Sequence, residues 1–391
     1  MLTHYLTITT MILGTLFLLA LWNIVLFRSR AQKILRERDL PFISVLVPAR
    51  NEEATIERCV TSLLAQDYPN FEVIVLDDNS TDNSASILGK LASDFPERLR
   101  VLRGEALEHG WVGKCFACNQ LSQGALGSWL LFTDADTVHQ PNSLSMALEL
   151  AVSRRADLLT VIPAQKMYSF GEKLILPLLH FSTFVFLPLY GVEHLHSPRF
   201  AIGIGQFMFF RTAAYKKIGG HSAVRNNIVE DVWLARAVKR HGFRLVVTDG
   251  QSFVSCRMYT NFAEVWNGFS KNIFAGFNFS FTAMAAFISL YAALFLAPFV
   301  LLGAGLAAGT LDKQEIMMLS AQIGINYALR LMLAMRFHLG FVSTLLHPLG
   351  VLGVIGIALN SWSWIAFGGG ARWKDRLYHP DNTVTSSEEV V

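Results

Sequence analysis

From Phe42 to Ala164 the sequence alternates short, continuous apolar runs with stretches of helical periodicity. Phe42–Val47, Phe71–Leu76, Leu99–Leu102, Ser128–Thr133 and Asp157–Ile162 read as strands. Glu52–Gln66, Ser84–Phe95, Lys114–Leu126 and Pro141–Ser153 read as the helices between them. Apolar runs without polar alternation belong to strands covered on both faces, and strand–helix alternation gives a mostly parallel sheet with helices on its two sides. Ligands of such sheets bind beyond the carboxyl ends of the strands. The polar clusters fall at those ends: Pro48-Ala-Arg-Asn-Glu52, Asp77-Asp-Asn-Ser80 and Asp134-Ala-Asp136.

The same pattern excludes familiar nucleotide sites. No Gly-x-Gly-x-x-Gly follows the first strand, and no Gly-x-x-x-x-Gly-Lys-Ser/Thr occurs. A dinucleotide enzyme and a P-loop NTPase are therefore disfavoured. The net charge of +3 argues against a nucleic-acid partner.

Only 16% of the 391 residues are charged, while 52% are hydrophobic. The deficit is local. Tyr5–Phe27 holds no charged side chain, which suits one membrane span. Arg28, Arg30, Lys33, Arg36 and Arg38 follow at once, placing what comes next in the cytoplasm. Basic residues after the apolar run, not before it, disfavour a secretory signal peptide. Phe281–Ala308, Ile316–Met335 and Phe341–Phe367 read as further spans. Arg330 interrupts the second unless it faces other helices or water. Three spans would put the tail outside, whereas Arg372, Lys374 and Arg376 favour the inside, so one segment is expected to be re-entrant or interfacial. Leu174–Val192, broken by Pro177 and Pro188, reads as a helix lying in the membrane surface, with a buried core helix as the alternative. The domain expectation is an anchor over 1–28, a globular cytoplasmic domain over 41–280, membrane segments over 281–367 and a polar tail over 368–391, unordered from Asp381 on.

The acidic clusters define possible chemistry. Asp134 and Asp136 are hard oxygen ligands suited to Mg²⁺ or Mn²⁺, and a metal there can neutralise a departing diphosphate. The plain alternative is a turn or helix cap. Asp77 and Asp78 can accept a hydrogen bond from a base edge. Lys114 opens a helix after Gly110-Trp-Val-Gly113, where amides and a cation can hold phosphate. Glu230 and Asp231 start another helix; one can serve as a general base, or both simply suit the helix dipole. Cys115 and Cys118 have redox or zinc half-site spacing, but no second pair exists, so small buried helix residues are expected.

Pro48-x-x-Asn51-Glu52, Leu76-Asp-Asp-Asn-Ser80, Thr133-Asp-Ala-Asp136 and Glu230-Asp231, in that order and spacing, resemble the family 2 glycosyltransferases over roughly Ile43–Lys271. The resemblance implies a GT-A fold, a Rossmann-like α/β nucleotide-sugar domain. It implies that Pro48, Glu52 and Asp78 line the nucleoside pocket. Asp136 would bind the metal, with Asp134 on the ribose or the metal. Asp231 would be the base of a single inverting displacement, supported by Glu230. Processive members carry Gln-x-x-Arg-Trp after the base; Arg257 and Trp266 are not so arranged here, which favours transfer of one sugar. Lys271 would reach the diphosphate, or is an ordinary interfacial lysine. Gly110–Cys118 and the order of membrane segments resemble the branch that glycosylates carotenoids, hopanoid-like lipids or sphingolipids. The expected reaction is hexose transfer from a UDP- or GDP-sugar to a lipid acceptor at the inner membrane face. The alternatives are a polyprenyl-phosphate hexosyltransferase and a non-enzymatic membrane subunit.

Overall fold

The computed structural model describes residues 1–27, 40–367, 370–373, 376–378 and 384–386. The basic segment Arg28–Arg38, Lys374 and most of the tail lie outside the described residues. The chain forms two compact units. One joins Phe27–Lys166, Leu189–Met258 and Arg372–Val391; the other joins Met1–Leu26, Met167–Pro188 and Tyr259–Ala371.

The first unit is built on a seven-stranded sheet. Its early strands are β1 (Ile43–Ala49), β2 (Phe71–Asp77), β3 (Leu99–Arg103) and β4 (Trp129–Phe132). A short β5 (Thr137–His139) follows the acidic turn, then β6 (Leu158–Ile162) and β7 (Ala164–Gln165). Later come β8 (Met208–Arg211), β9 (Leu245–Asp249) and β10 (Val254–Cys256). The order is β3-β2-β1-β4-β8-β6-β9, and β8 runs antiparallel to both its neighbours. β1, β2, β3 and β4 pair in parallel, as do β6 and β9. Val45, Val47, Val73, Val75 and Leu131 are fully buried, and helices Ile56–Leu64 and Ser143–Ser153 pack Ile56, Val60, Leu144 and Leu148 into the same core. Each such side chain contributes about 1.5–3 kcal/mol relative to exposure.

The sequence reading missed β8. It follows a long helical excursion and runs antiparallel between β4 and β6. A second, three-stranded sheet, β5-β10-β7, is also absent from that reading. It pairs Thr137 with Cys256.

The second unit is helical. Leu2–Leu26, Lys313–Phe337 and His347–Ala366 are each long and apolar enough to cross a membrane. Phe262–Gly276 and Phe281–Phe295 form a pair bent by 119°. The expected single span Phe281–Ala308 is interrupted at Leu296, giving Phe281–Phe295 and Ala297–Ala308. The cause is Pro298, which has no N–H to offer the carbonyl of Leu294. Asn326 Nδ2 donates to that carbonyl instead, at 3.0 Å. The same device recurs at Pro188. It removes the helical donor for Phe184 O, and Asn23 Nδ2 donates to Phe184 O and Leu187 O, both at 2.8 Å. Gln322 Nε2 ties Lys313–Phe337 to Leu2–Leu26 through Leu6 O and the hydroxyls of Thr9 and Thr10.

Leu174–Val192 is not one helix. It divides into Phe170–Ile175, Pro177–Phe186 and Leu189–His194, broken near the two prolines. Leu174, Leu178, Phe181, Phe184 and Val185 are buried. Met167–Pro188 and Tyr259–Ala371 group with the helical unit. In the tail, Arg376–Tyr378 pairs antiparallel with Val384–Ser386, where the composition suggests no ordered structure.

Candidate active site

The loops after β1 and β2 lock into each other. Arg50 Nη1 donates to Asp78 O at 2.7 Å, and Asp78 N donates to Ala49 O at 2.8 Å. Asn51 Oδ1 accepts from Thr81 N at 2.8 Å, and Ser84 Oγ accepts from Glu52 N at 2.8 Å. Asn51 and Asn79 hold φ of 51° and 53°, a left-handed conformation that asparagine tolerates better than most residues. This interlock sets Pro48, Glu52 and the buried Asp78 at one carboxyl edge. Asp77 Oδ1 closes its own turn by accepting from Ser80 N at 3.0 Å. Gly104, which the sequence reading did not single out, passes so close that a Cβ would lie 3.1 Å from Asp77 O and from Asp78 Cα.

The turn after β4 rests on a buried polar network. Thr137 Oγ1 donates to Asp134 O at 2.8 Å. Thr133 Oγ1 donates to Gln206 O at 2.8 Å, and His139 Nε2 is 3.1 Å from both threonine hydroxyls. Burial pushes His139 down to about 3, so its imidazole is neutral. Above this base Asp136 is half-buried, and its Oδ1 is shielded from solvent with no hydrogen-bond partner. Burial, with Asp134 and Glu52 close by, pushes the Asp136 carboxyl up to about 7. A buried, unpartnered carboxylate oxygen is a strong acceptor waiting for a cation. Among the described residues no cluster of three or more His, Cys, Asp or Glu forms a metal cage. Asp134 and Asp136 fit a divalent ion that takes its remaining ligands from water and substrate phosphate, the usual habit of Mg²⁺.

Lys114 connects this turn to the second acidic pair. Its Nζ lies 2.6 Å from Asp134 Oδ1 and 2.9 Å from Glu230 Oε1. Lys114 sits in the first turn of helix Gly113–Gly124, where a cation opposes the helix dipole. The two carboxylates compensate it. Glu230 and Asp231 occupy the first turn of helix Glu230–Arg240, where negative charge is favoured. Asp231 Oδ2 accepts from Gly205 N at 3.0 Å and Oδ1 from Val232 N at 2.7 Å. Burial, with Glu230 beside it, pushes the Asp231 carboxyl up to about 7. Gly203 and Gly205 make the approach possible. A Cβ on Gly203 would lie 2.1 Å from Asp231 O, and one on Gly205 3.1 Å from Lys114 Nζ.

The expected residues Lys114, Asp134, Glu230 and Asp231 thus meet around one ammonium group, with Asp136 on the adjoining turn. Lys271 belongs to the helical unit, on Phe262–Gly276. Cys115 and Cys118 are buried and unbridged, as expected of small core residues. Gln206 and Cys256 were missed: Gln206 Nε2 donates to Cys256 Sγ at 3.1 Å behind the Asp136 turn.

A mostly parallel sheet with acidic turns along its carboxyl edge defines a GT-A-type α/β domain. Residues 44–219 match Glycosyl transferase family 2, and through this domain the chain carries the enzyme fold of that family. A beta-monoglucosyldiacylglycerol synthase of Nostoc sp. is 37% identical over 133 residues, 32% of this chain and 28% of that protein. The chain therefore matches under a third of the length of that relative. A 4,4'-diaponeurosporenoate glycosyltransferase of Staphylococcus aureus is 26% identical over 369 residues, 90% of this chain and 93% of that protein. The mannosyltransferase of Pyrobaculum calidifontis, solved with GDP-Man and Mn²⁺, superposes with a TM-score of 0.55 at 18% identity, covering 89% of this chain and 99% of that one. At that identity the likeness speaks for the fold.

Proposed function

We propose that this chain is a membrane-bound glycosyltransferase that moves one hexose from a UDP- or GDP-sugar to a lipid acceptor, with inversion and with Mg²⁺ or Mn²⁺. The observation that carries the reading is the Lys114 bridge between the acidic turn and the Glu230–Asp231 helix start. It supports a diphosphate-type site beside a carboxylate suited to take a proton.

In this reading Pro48, Glu52 and Asp78 line the nucleoside pocket, with Asp77 shaping the turn. Asp134 and Asp136 hold the metal, which when bound supplies charge neutralisation for the leaving diphosphate. Lys114 adds a fixed positive charge on the same side. Asp231 removes the proton of the acceptor's hydroxyl or carboxyl group, and Glu230 keeps Lys114 in place. The long apolar helices and relatives named for a glucosyldiacylglycerol and a carotenoid acid support a lipid acceptor. The basic residues after the first helix support a catalytic domain at the inner face of the cell membrane.

The test uses purified full-length protein in lipid nanodiscs with labelled UDP-glucose or GDP-mannose and diacylglycerol or a carotenoid acid. Metal-dependent appearance of one labelled glycolipid supports the reading. Turnover unchanged by chelator, or no nucleotide-sugar binding at all, overturns it. Full activity of Asp231→Asn on a polyprenyl phosphate would transfer the assignment to that acceptor.

A further inference from the structure

The helical unit contains a positive charge that its described residues do not neutralise. Arg330 lies within helix Lys313–Phe337 and is 2% exposed. One nitrogen, Nη2, donates to Ser343 O at 3.0 Å, and its Nε has no partner. The guanidinium lies 5.8 Å from the ring centroid of Phe181. Among the described residues no carboxylate forms an ion pair with it. His347 packs on the same ring, with centroids 5.3 Å apart, and is 1% exposed. Both of its ring nitrogens lack a partner, and so does Thr344 Oγ1 nearby in the chain.

A buried guanidinium without a counter-charge is costly, the more so in a helix surrounded by lipid. Buried polar atoms left unpaired are costly. Here the unpaired atoms are mostly donors, or can be: a guanidinium N–H, an imidazole and a hydroxyl. Such a set calls for an acceptor that carries negative charge. Arginine is the side chain best matched to carboxylate and phosphate oxygens. Ser343 and Thr344 face inward from Phe341–Leu345, whereas Phe341, Val342 and Leu345 of the same short helix are more than half exposed.

We propose that Arg330 and His347 form a binding site for the oxyanion of an acidic lipid, a carboxylate or a phosphate monoester, with Arg330 supplying the charge and His347 and Thr344 the further hydrogen bonds. The class of ligand rests on reading the chain as a lipid-modifying membrane protein; the need for an anion rests on the uncompensated Arg330. The site lies apart in sequence from the acidic turns and gives them no chemical role.

The experiment is equilibrium binding to full-length protein in neutral phosphatidylcholine nanodiscs, titrated with fluorescent phosphatidic acid and with a fluorescent C18 fatty acid. Diacylglycerol is the neutral control, and inorganic phosphate is the competitor. The wild type should bind at least one acidic probe tenfold or more tighter than diacylglycerol, with no competition from millimolar phosphate. Arg330→Gln should erase that preference, Arg330→Lys should keep part of it, and His347→Gln should weaken it severalfold. Equal affinity for neutral and acidic probes, or an undiminished preference in folded Arg330→Gln, overturns the proposal, as does competition by free phosphate for the lipid source. Because the readout is binding without turnover, an inactive transferase leaves this result intact. An active transferase without acidic-lipid preference defeats this site alone.

Discussion

Lys114 Nζ stands 2.6 Å from Asp134 Oδ1, closer than it stands to Glu230. The lysine is thus the electrostatic hinge between the turn after β4 and the helix that begins at Glu230. Lys114→Met removes it and leaves two carboxylates facing each other. A charge-assisted hydrogen bond contributes about 1.5–3 kcal/mol, or roughly 10–100-fold in an equilibrium. Nucleotide-sugar affinity measured by calorimetry should fall by that factor. Unchanged affinity would remove Lys114 from the donor site.

In the proposed reaction Asp231 should set the pH dependence. Its carboxyl is raised from 3.8 to about 7 by burial and by Glu230. A base must be ionised, so kcat/KM should rise with pH through about 7 and level off above it. The sign for stability is opposite. A carboxyl with a raised folded pKa favours the fold while protonated, and that contribution is lost as pH rises from about 4 to about 7. Asp231→Asn should abolish the rising limb and cost about 10²–10⁴-fold in rate, with nucleotide binding retained. A mutant whose pH profile matches the wild type would identify another base.

Asp136 predicts a metal requirement visible without turnover. Its buried, unpartnered Oδ1 should take part in binding Mn²⁺ when UDP is present. Asp136→Asn should weaken Mn²⁺ binding, followed by electron paramagnetic resonance, by at least about tenfold, or 1.4 kcal/mol. Equal Mn²⁺ affinity in the two proteins would place the ion elsewhere.

Gly203 admits no side chain. A Cβ there would meet Asp231 O at 2.1 Å, so the backbone of one loop must move. Gly203→Ala should destabilise the protein by about 1–3 kcal/mol and reduce transfer more than it reduces nucleotide binding. Thermal unfolding and product formation measured on one preparation check both parts.

Much of the sheet was legible because β1, β2, β4 and β6 are buried on both faces and so appear as unbroken apolar runs. The acidic turns were legible because they follow those runs directly. β8 was not, since Met208–Arg211 is separated from β6 by three short helices and pairs against the direction of its neighbours. The partners of Lys114 were not legible either. Asp134 and Glu230 are nearly a hundred positions apart, and only the fold brings one ammonium between them. Glycine spacing in Gly203-Ile-Gly205 was a usable signal: two glycines flanking one residue ahead of a strand suggest close backbone approach, and Asp231 is what they approach. Pro298 was visible in the sequence too, and its position inside an apolar run foretells the break at Leu296.

The two asparagine–proline pairs of the helical unit have a consequence for how this sequence can vary. Asn326 serves the carbonyl that Pro298 deprives, and Asn23 the one that Pro188 deprives. Replacing Asn326 by leucine should cost about 1 kcal/mol while Pro298 remains, and little once that proline has become alanine; Asn23 also serves Leu187 O and should stay costly to replace. The order of substitution then matters. A lineage can discard the proline first and the asparagine later, but the reverse path passes through a weakened protein. Asn326 thus becomes dispensable only after Pro298 is gone, a one-way dependence written at two distant positions.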